Sequence, residues 1–588
     1  MKSSIARSST VACGLLLLAA CSGPITHTGT PQARDGIVAE DVGAAPALPP
    51  PPPAPVVEAA RSVTVTGARA SQPSAIGRYK AASSPLAYAV PPPQLRILIP
   101  APPGADRFPD KEANQSTLVA EQPVSTFSVD VDTASYAFVR RMLTAGQVPR
   151  PDAVRVEEMV NYFPYHYAAP RSRDVPFAVA TEVMPSPWKA GNQLVHIAVR
   201  GYDIQAAARP RANVVLLVDI SGSMMGPDRL PLLQQGFRLF AQQLRDDDRV
   251  AIVTYANGTH VALAPTEGRD KDRIIDAIDA LRASGGTAGG DGLQRAYAMA
   301  ERHFDPKAVN RVILATDGDF NIGITDPKQL EKFVADKRKT GVYLSIFGVG
   351  MGNLNDALIQ RLAQSGNGNA AYIDSLLEAR KALADELGST MFPIASDVKV
   401  QVEFNPDQVA AYRLIGYETR MLQRQDFKND KVDAGDMGAG HTVTAIYEIT
   451  PAGAASELVD PLRYGQPKKD AKRAAGKDKG ELCFVKLRYK LPSAATSRLV
   501  EHPVPAASSR ESFEAAPDDQ RFAVAVAAFG QRLRGERQLA DTSYASIAEL
   551  ANAARGPDPE GYRAEFVKLV RMAESLDKAG PARQAGQP

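Results

Sequence analysis

Apolar and polar positions follow two different periods along this chain. Between residues 213 and 387, unbroken apolar runs alternate with stretches whose apolar residues recur every three or four positions. The runs are 213–219 (NVVLLVD), 249–255 (RVAIVTY), 311–317 (RVILATD) and 342–349 (VYLSIFGV). Strands buried on both faces of a parallel sheet read this way. Stretches 230–244, 272–281, 292–303, 329–339 and 354–363 carry the helical stripe, as in Ile274, Ile275, Ile278 and Leu281. A short edge strand at 261–264, another strand at 370–373 and a closing helix at 377–387 complete the alternation. It predicts an α/β fold with a doubly wound, mostly parallel sheet.

Outside that region the period shortens to two. Segments 125–132, 177–184, 193–201, 398–404, 412–417, 442–449 and 482–491 read as antiparallel strands, which predicts a β-sandwich. Residues 177–200 precede the α/β region yet are expected to supply strands to it, so the α/β domain is inserted between two halves of the sandwich. Helices are predicted at 135–145 (Tyr136, Val139, Leu143 on one face), 152–163 (Val156, Met159, Val160, Phe163), 518–533 (Phe522, Val526, Phe529) and 544–576 (Phe566, Leu569, Val570, Ala573).

The start of the chain differs from both patterns. Lys2 and Arg7 precede an apolar run, 11–20, that ends at Cys21. A membrane-spanning helix needs about 20 apolar residues, so the run fits a signal-peptide core. Leu18-Ala19-Ala20-Cys21 resembles the bacterial lipobox, which implies cleavage before Cys21 and lipidation of its thiol. By the same resemblance, Ser22 favours the outer over the inner membrane, with the protein on the periplasmic side of the cell envelope. The expected map is signal peptide 1–20, disordered proline-rich tether 21–115, amino-terminal segment 116–210, α/β domain 211–392, β-sandwich 393–515 and carboxy-terminal helices 516–580.

Composition sharpens this map. Much of the excess in 45 prolines falls between Pro31 and Pro109, in the tether. A net charge of +2 excludes attachment to nucleic acid or anionic lipid by bulk charge. Three cysteines exclude a disulfide scaffold. With Cys13 in the signal and Cys21 lipidated, Cys483 is a lone thiol in an apolar run and reads as core. The basic insert 467–480 reads as a solvated loop.

Polar residues cluster at the predicted strand ends, where open α/β sheets bind ligands. The first strand runs into Asp219-Ile220-Ser221-Gly222-Ser223, a later turn holds Gly285-Gly286-Thr287, and another strand ends at Thr316-Asp317-Gly318. Two carboxylates and three hydroxyls form a hard, all-oxygen donor set that suits Mg²⁺, or Mn²⁺. Alternation lets Asp219, Ser221 and Ser223 face one way from an extended turn. Gly222 lets the backbone pass close to the ion.

This arrangement resembles the von Willebrand factor A (VWA) domain with its metal-ion-dependent adhesion site. The resemblance spans about residues 211–392 and implies direct coordination by Ser221 and Ser223. It implies contact mainly through water for Asp219 and Asp317, and either mode for Thr287. It also implies a shift of the closing helix as Thr287 engages the ion. A protein partner would fill the open coordination position with an acidic side chain. The stretch 125–165 (STFSVDVDTASYAFVRRML…VRVEEMVNYFPY) resembles the amino-terminal segment of bacterial YfbK-type lipoproteins, a likeness that extends over about residues 116–576.

Competing chemistries find little support. There is no G-x-x-x-x-G-K-[ST] loop and no H-E-x-x-H, and Gly348-x-Gly350-x-Gly352 lacks the third glycine of a dinucleotide fingerprint. Asp130-x-Asp132 lacks the rest of an EF-hand. A hydrolase would need a base beside Ser221 or Ser223, and the seven histidines are scattered, with His260 on a nearby segment. The leading expectation is therefore a membrane-anchored, metal-dependent protein-binding module and not an enzyme. The alternatives are an envelope assembly protein in which the VWA domain is only a scaffold, and a hydrolase.

Overall fold

The apolar runs form strands in a computed structural model. It describes residues 106–579 except 130–131, 206–207, 287–290, 319–323, 325, 353, 387–390, 433, 454–479 and 493. First come β1 (Thr117–Leu118), β2 (Val124–Ser128), α1 (Ala134–Thr144), α2 (Val156–Asn161), β3 (Phe177–Pro185) and β4 (Gln193–Gly201). The central region holds β5 (Arg211–Asp219), α3 (Leu230–Gln243), β6 (Arg249–Tyr255), β7 (Thr259–Glu267), α4 (Lys271–Asp279), α5 (Gly292–Arg302) and β8 (Ala308–Thr316). It continues through α6 (Pro327–Arg338), β9 (Val342–Val349), α7 (Asp356–Ser365), β10 (Ala370–Ile373) and α8 (Leu376–Arg380). Then follow β11 (Pro393–Phe404), β12 (Val409–Ile415), β13 (Gly435–Gly438), β14 (Thr442–Pro451), β15 (Glu481–Lys490) and β16 (Arg498–Pro505). The helices α9 (Asp518–Leu533), α10 (Tyr544–Ala553) and α11 (Tyr562–Ala579) come last.

The central sheet has the order β10-β9-β8-β5-β6-β7, parallel except for edge strand β7. Alternation along β5 divides its side chains between two cores: Val214, Leu216 and Val218 on one face, Val215 and Leu217 on the other. Helices cover both faces, which is why this strand shows no polar alternation.

Two further sheets, β1-β12-β14-β4-β3 and β13-β11-β15-β16 with β2 on β11, share one core that includes Phe127, Ile197, Val400, Tyr447 and Val485. Strand β4, which precedes the α/β region, pairs antiparallel with β14, which follows it. The α/β domain is therefore an insertion in a β-sandwich. Helices α1, α2 and α9–α11 pack on the outer face of the first sheet, against Met184, Leu194, Ala198, Ile415 and Ile446. Helix α1 serves two cores. Tyr136, Val139 and Leu143 enter the helical one, while Ala137 and Phe138 enter that of the α/β domain. A Cβ on Gly530 of α9 would lie 3.1 Å from Val156 and 3.3 Å from Met159, so glycine sets the close approach to α2.

Several expectations are corrected. Ordered packing begins before residue 116: Asp106 accepts hydrogen bonds from the amides of Gly352 and Leu354, and Phe108 meets Phe138 edge-on at 4.7 Å. The helix expected at 152–163 is a 3-10 turn followed by α2, because the Arg155 amide leaves the helical pattern to donate to Ser135 Oγ. The helix expected at 544–576 is two, split at Gly556-Pro557-Asp558-Pro559. Both Gly556 and Gly561 there adopt positive φ, and the prolines lack donors. The closing helix is α8 plus one π turn, Lys381–Asp385, where the Glu386 amide donates to the Lys381 carbonyl. Edge strand β7 is longer than 261–264.

Cys483 is buried and free as expected, and burial pushes its thiol up to about 12. Asp132 is structural: it accepts from Arg420 at 2.7 Å and from the Ala370 amide at 2.8 Å. No helix among the described residues is long and apolar enough to cross a membrane. The signal peptide 1–20, the lipidation candidate Cys21, the tether up to residue 105, Asp130 and nearly all of the basic insert 467–480 lie outside the described residues.

Candidate metal centre

Strand β5 lies between β6 and β8, and its last residue, Asp219, stands opposite Tyr255, the last residue of β6. Strand β8 ends at Thr316, and Asp317 follows. Adjacent parallel strands thus deliver two carboxylates to the same sheet end, each almost fully buried. Asp219 Oδ1 accepts from the Ser221 amide at 2.8 Å, and Asp219 Oδ2 makes no hydrogen bond to a described residue. Asp317 Oδ1 is likewise buried without a hydrogen bond among the described residues. The Tyr255 hydroxyl is near Asp219 and Thr316 but has no hydrogen bond of normal geometry. Burial pushes the Asp219 carboxyl up to about 6; the Ser221 amide opposes this, and the charge of Asp317 adds to it.

Ser221 and Ser223 come together, Oγ to Oγ at 2.9 Å. The turn is not extended throughout. Ser221 has extended backbone, and Gly222–Met225 then closes a 3-10 turn that brings Ser223 back over Ser221. The Gly222 amide donates to the Gly285 carbonyl at 2.9 Å, and a Cβ on Gly222 would meet that oxygen, so only glycine allows this approach. Ser284 donates to the Ile220 carbonyl, and Gly286 donates to Asn257 Oδ1 at 2.7 Å. These bonds lace the glycine-rich turn to the first loop just before Thr287, which itself lies outside the described residues.

Three participants escaped the sequence reading. Asn257 holds the Gly285-Gly286 turn. Tyr255 walls Asp219. Arg229 places its guanidinium on Asp317, with Nη1 donating to Oδ2 at 3.0 Å. Arg229 is the residue capping the N-terminus of α3, a position that favours Ser, Thr, Asp or Asn and disfavours a cation. That anomaly was the available signal.

The donor set fits a divalent cation. Two buried carboxylate oxygens lack hydrogen bonds beside two touching hydroxyls, and such orphaned acceptors are rare unless an ion or water meets them. Among the described residues no histidine bonds to Ser221 or Ser223. His196 bonds instead with Tyr167, and His441 is buried; burial pushes both imidazoles down to about 4. No group of three or more acidic, histidine or cysteine side chains that could hold a metal occurs among the described residues. A centre here would therefore depend on hydroxyls as well as its two carboxylates.

Three family models match parts of the chain. Residues 213–386 match the von Willebrand factor type A domain, residues 102–196 a model described as von Willebrand factor, and residues 389–576 the model "Uncharacterized protein YfbK, C-terminal". The "Uncharacterized protein YfbK" of Escherichia coli K12 is 45% identical over 480 residues, covering 81% of this chain and 82% of that protein. The chain belongs to the YfbK family. Relatives of this YfbK-family chain over about a third of its length include the "Inter-alpha-trypsin inhibitor heavy chain H2" of Sus scrofa. It is 24% identical over 34% of this chain and 21% of its own length. Among solved structures, a "von Willebrand factor type A" protein from Catenulispora acidiphila shares 17% identity, covering 70% of this chain and 91% of that one at a TM-score of 0.38. The family match carries the VWA fold; no enzyme name occurs among these relatives.

Proposed function

We propose that this YfbK-family protein is a divalent-metal-dependent binding module. Asp219, Ser221, Ser223 and Asp317, with Thr287 from the laced turn, would hold Mg²⁺ or Mn²⁺. When bound, such an ion supplies an open position for a hard oxygen ligand, and the acidic side chain of a protein partner is the fitting occupant. The observation that carries the reading is the pair of buried carboxylate oxygens without hydrogen bonds, Asp219 Oδ2 and Asp317 Oδ1, at adjacent strand ends. Lipidation of Cys21 would anchor the module on the periplasmic side of the cell envelope, with the outer membrane favoured. Radiolabelled palmitate incorporation that is lost in Cys21→Ser tests the anchor.

Pull-down from the membrane fraction with wild type, with chelator and with Asp219→Ala tests the binding. The reading expects one retained partner that is lost in both treatments; a partner retained in both contradicts it. One observation favours a second reading, in which the VWA domain only scaffolds assembly. Arg229 already pairs with Asp317 and supplies positive charge without a metal. Retention of the complex both by Asp219→Ala and in chelator would select that reading.

A further inference from the structure

Arg229 is held from several sides. Nη1 donates to Asp317 Oδ2 at 3.0 Å and also to the Ser223 carbonyl, while Nη2 donates to the Met351 carbonyl at 3.1 Å. The loop beneath it is shaped for the fit. Gly350 has φ +73, and a Cβ there would strike Arg229 Nε. Asp106 fixes the same loop through the amides of Gly352 and Leu354. Gly350, one of the three glycines at 348–352, thus leaves room for the guanidinium. Among the described residues, only Oδ2 of Asp317 is engaged, and Oδ1 is without a hydrogen bond.

The charges decide what this does. Among the described residues, Asp219 and Asp317 are two negative charges and Arg229 one positive, so these three side chains carry a single net negative charge. A dication added to it leaves a net positive centre. Without Arg229 the same centre would be neutral, would hold its cation more tightly and would attract an anion less. Like charges repel strongly in a partly desolvated site.

We infer that Arg229 is a built-in counter-charge that weakens the centre's grip on its cation and preserves that cation's attraction for an acidic side chain. This rests on the metal-binding reading above and adds the residue that sets its affinity and specificity.

Titrating the full chain with Mn²⁺ by calorimetry, using wild type, Arg229→Lys, Arg229→Gln and Gly350→Ala, tests the inference. Arg229→Gln is expected to bind Mn²⁺ roughly tenfold or more tightly than wild type, while Arg229→Lys stays within about threefold. Gly350→Ala, which displaces the guanidinium without deleting it, also tightens binding and serves if Arg229→Gln fails to fold. Acetate, as a carboxylate probe, binds the Mn²⁺-loaded Arg229→Gln protein more weakly than loaded wild type. Mn²⁺ affinity equal to or below wild type in both Arg229→Gln and Gly350→Ala overturns the role of Arg229 and leaves the metal reading intact. Absence of Mn²⁺ binding in wild type and every variant overturns the metal reading, and this inference with it.

Discussion

Buried charges occur in two kinds of place in this molecule. Where α1 meets α8 and α11, Arg140 donates to Glu378 at 2.7 Å, to Tyr162 at 2.9 Å and to Glu565 at 3.1 Å, and also pairs with Asp374. Where α2 meets α7, Arg155 pairs with Asp356 at 2.7 Å and with Glu158, which also accepts from Gln360 at 2.6 Å. At the strand ends of the VWA domain, by contrast, Asp219 has no cationic partner among the described residues, and each carboxylate keeps one oxygen without a hydrogen bond among them. Paired networks join the flanking segments to the inserted domain and account for themselves structurally. Incomplete pairing is what marks a position as waiting for something else.

The sharpest way to break this contrast is to unpair a network. Arg140→Ala or Arg155→Ala leaves buried acids without their arginine and is expected to cost roughly 3–5 kcal/mol in urea denaturation. A loss well under about 1 kcal/mol would mean the networks are no better satisfied than the metal centre.

The buried histidines give the next effect. His196 and His441 have folded values depressed to about 4 by burial, below the ordinary 6.5. Their contribution to stability is full above pH 6.5 and is lost as pH falls through 4. Each can remove up to about 3 kcal/mol, and His196→Gln should flatten its share of the urea-midpoint profile between pH 7 and pH 4.5.

At the candidate metal centre the sign of a charge deletion reverses. Asp219→Asn in chelator at pH 7.5 is expected to stabilise the protein by about 1–3 kcal/mol, because it removes a buried charge that lacks a counter-ion. Destabilisation of the metal-free protein would place Asp219 with the satisfied networks. The smallest effect is at the surface. Lys578 pairs with Glu574 while 72% exposed, and Lys578→Ala should leave the melting temperature unchanged.

Much of this was legible in the chain. The strands of the central sheet declared themselves because burial on both faces removes polar positions altogether. The insertion was readable because 177–201 carried the sandwich period ahead of the domain. The strand ends named Asp219, Ser221, Ser223 and Asp317. What period could not supply was anything fixed by a distant neighbour. The start of ordered packing at Asp106 depends on two amides near Leu354. The π turn at Lys381–Asp385 coincides with a buried lysine whose ammonium lies over the Tyr162 ring. Strand β16, with its two prolines and mostly exposed residues, is tolerated only because it is an edge. Arg229 is odd at a helix start, yet nothing in the sequence places Asp317 beside it.

The central proposal is that Asp219, Ser221, Ser223, Thr287 and Asp317 hold a divalent cation. Calorimetric titration of Mg²⁺ into the chelator-treated full chain and into Asp219→Ala tests it most directly. The account predicts one binding site on wild type and none on the variant. No binding to wild type, or equal binding to both, would contradict it.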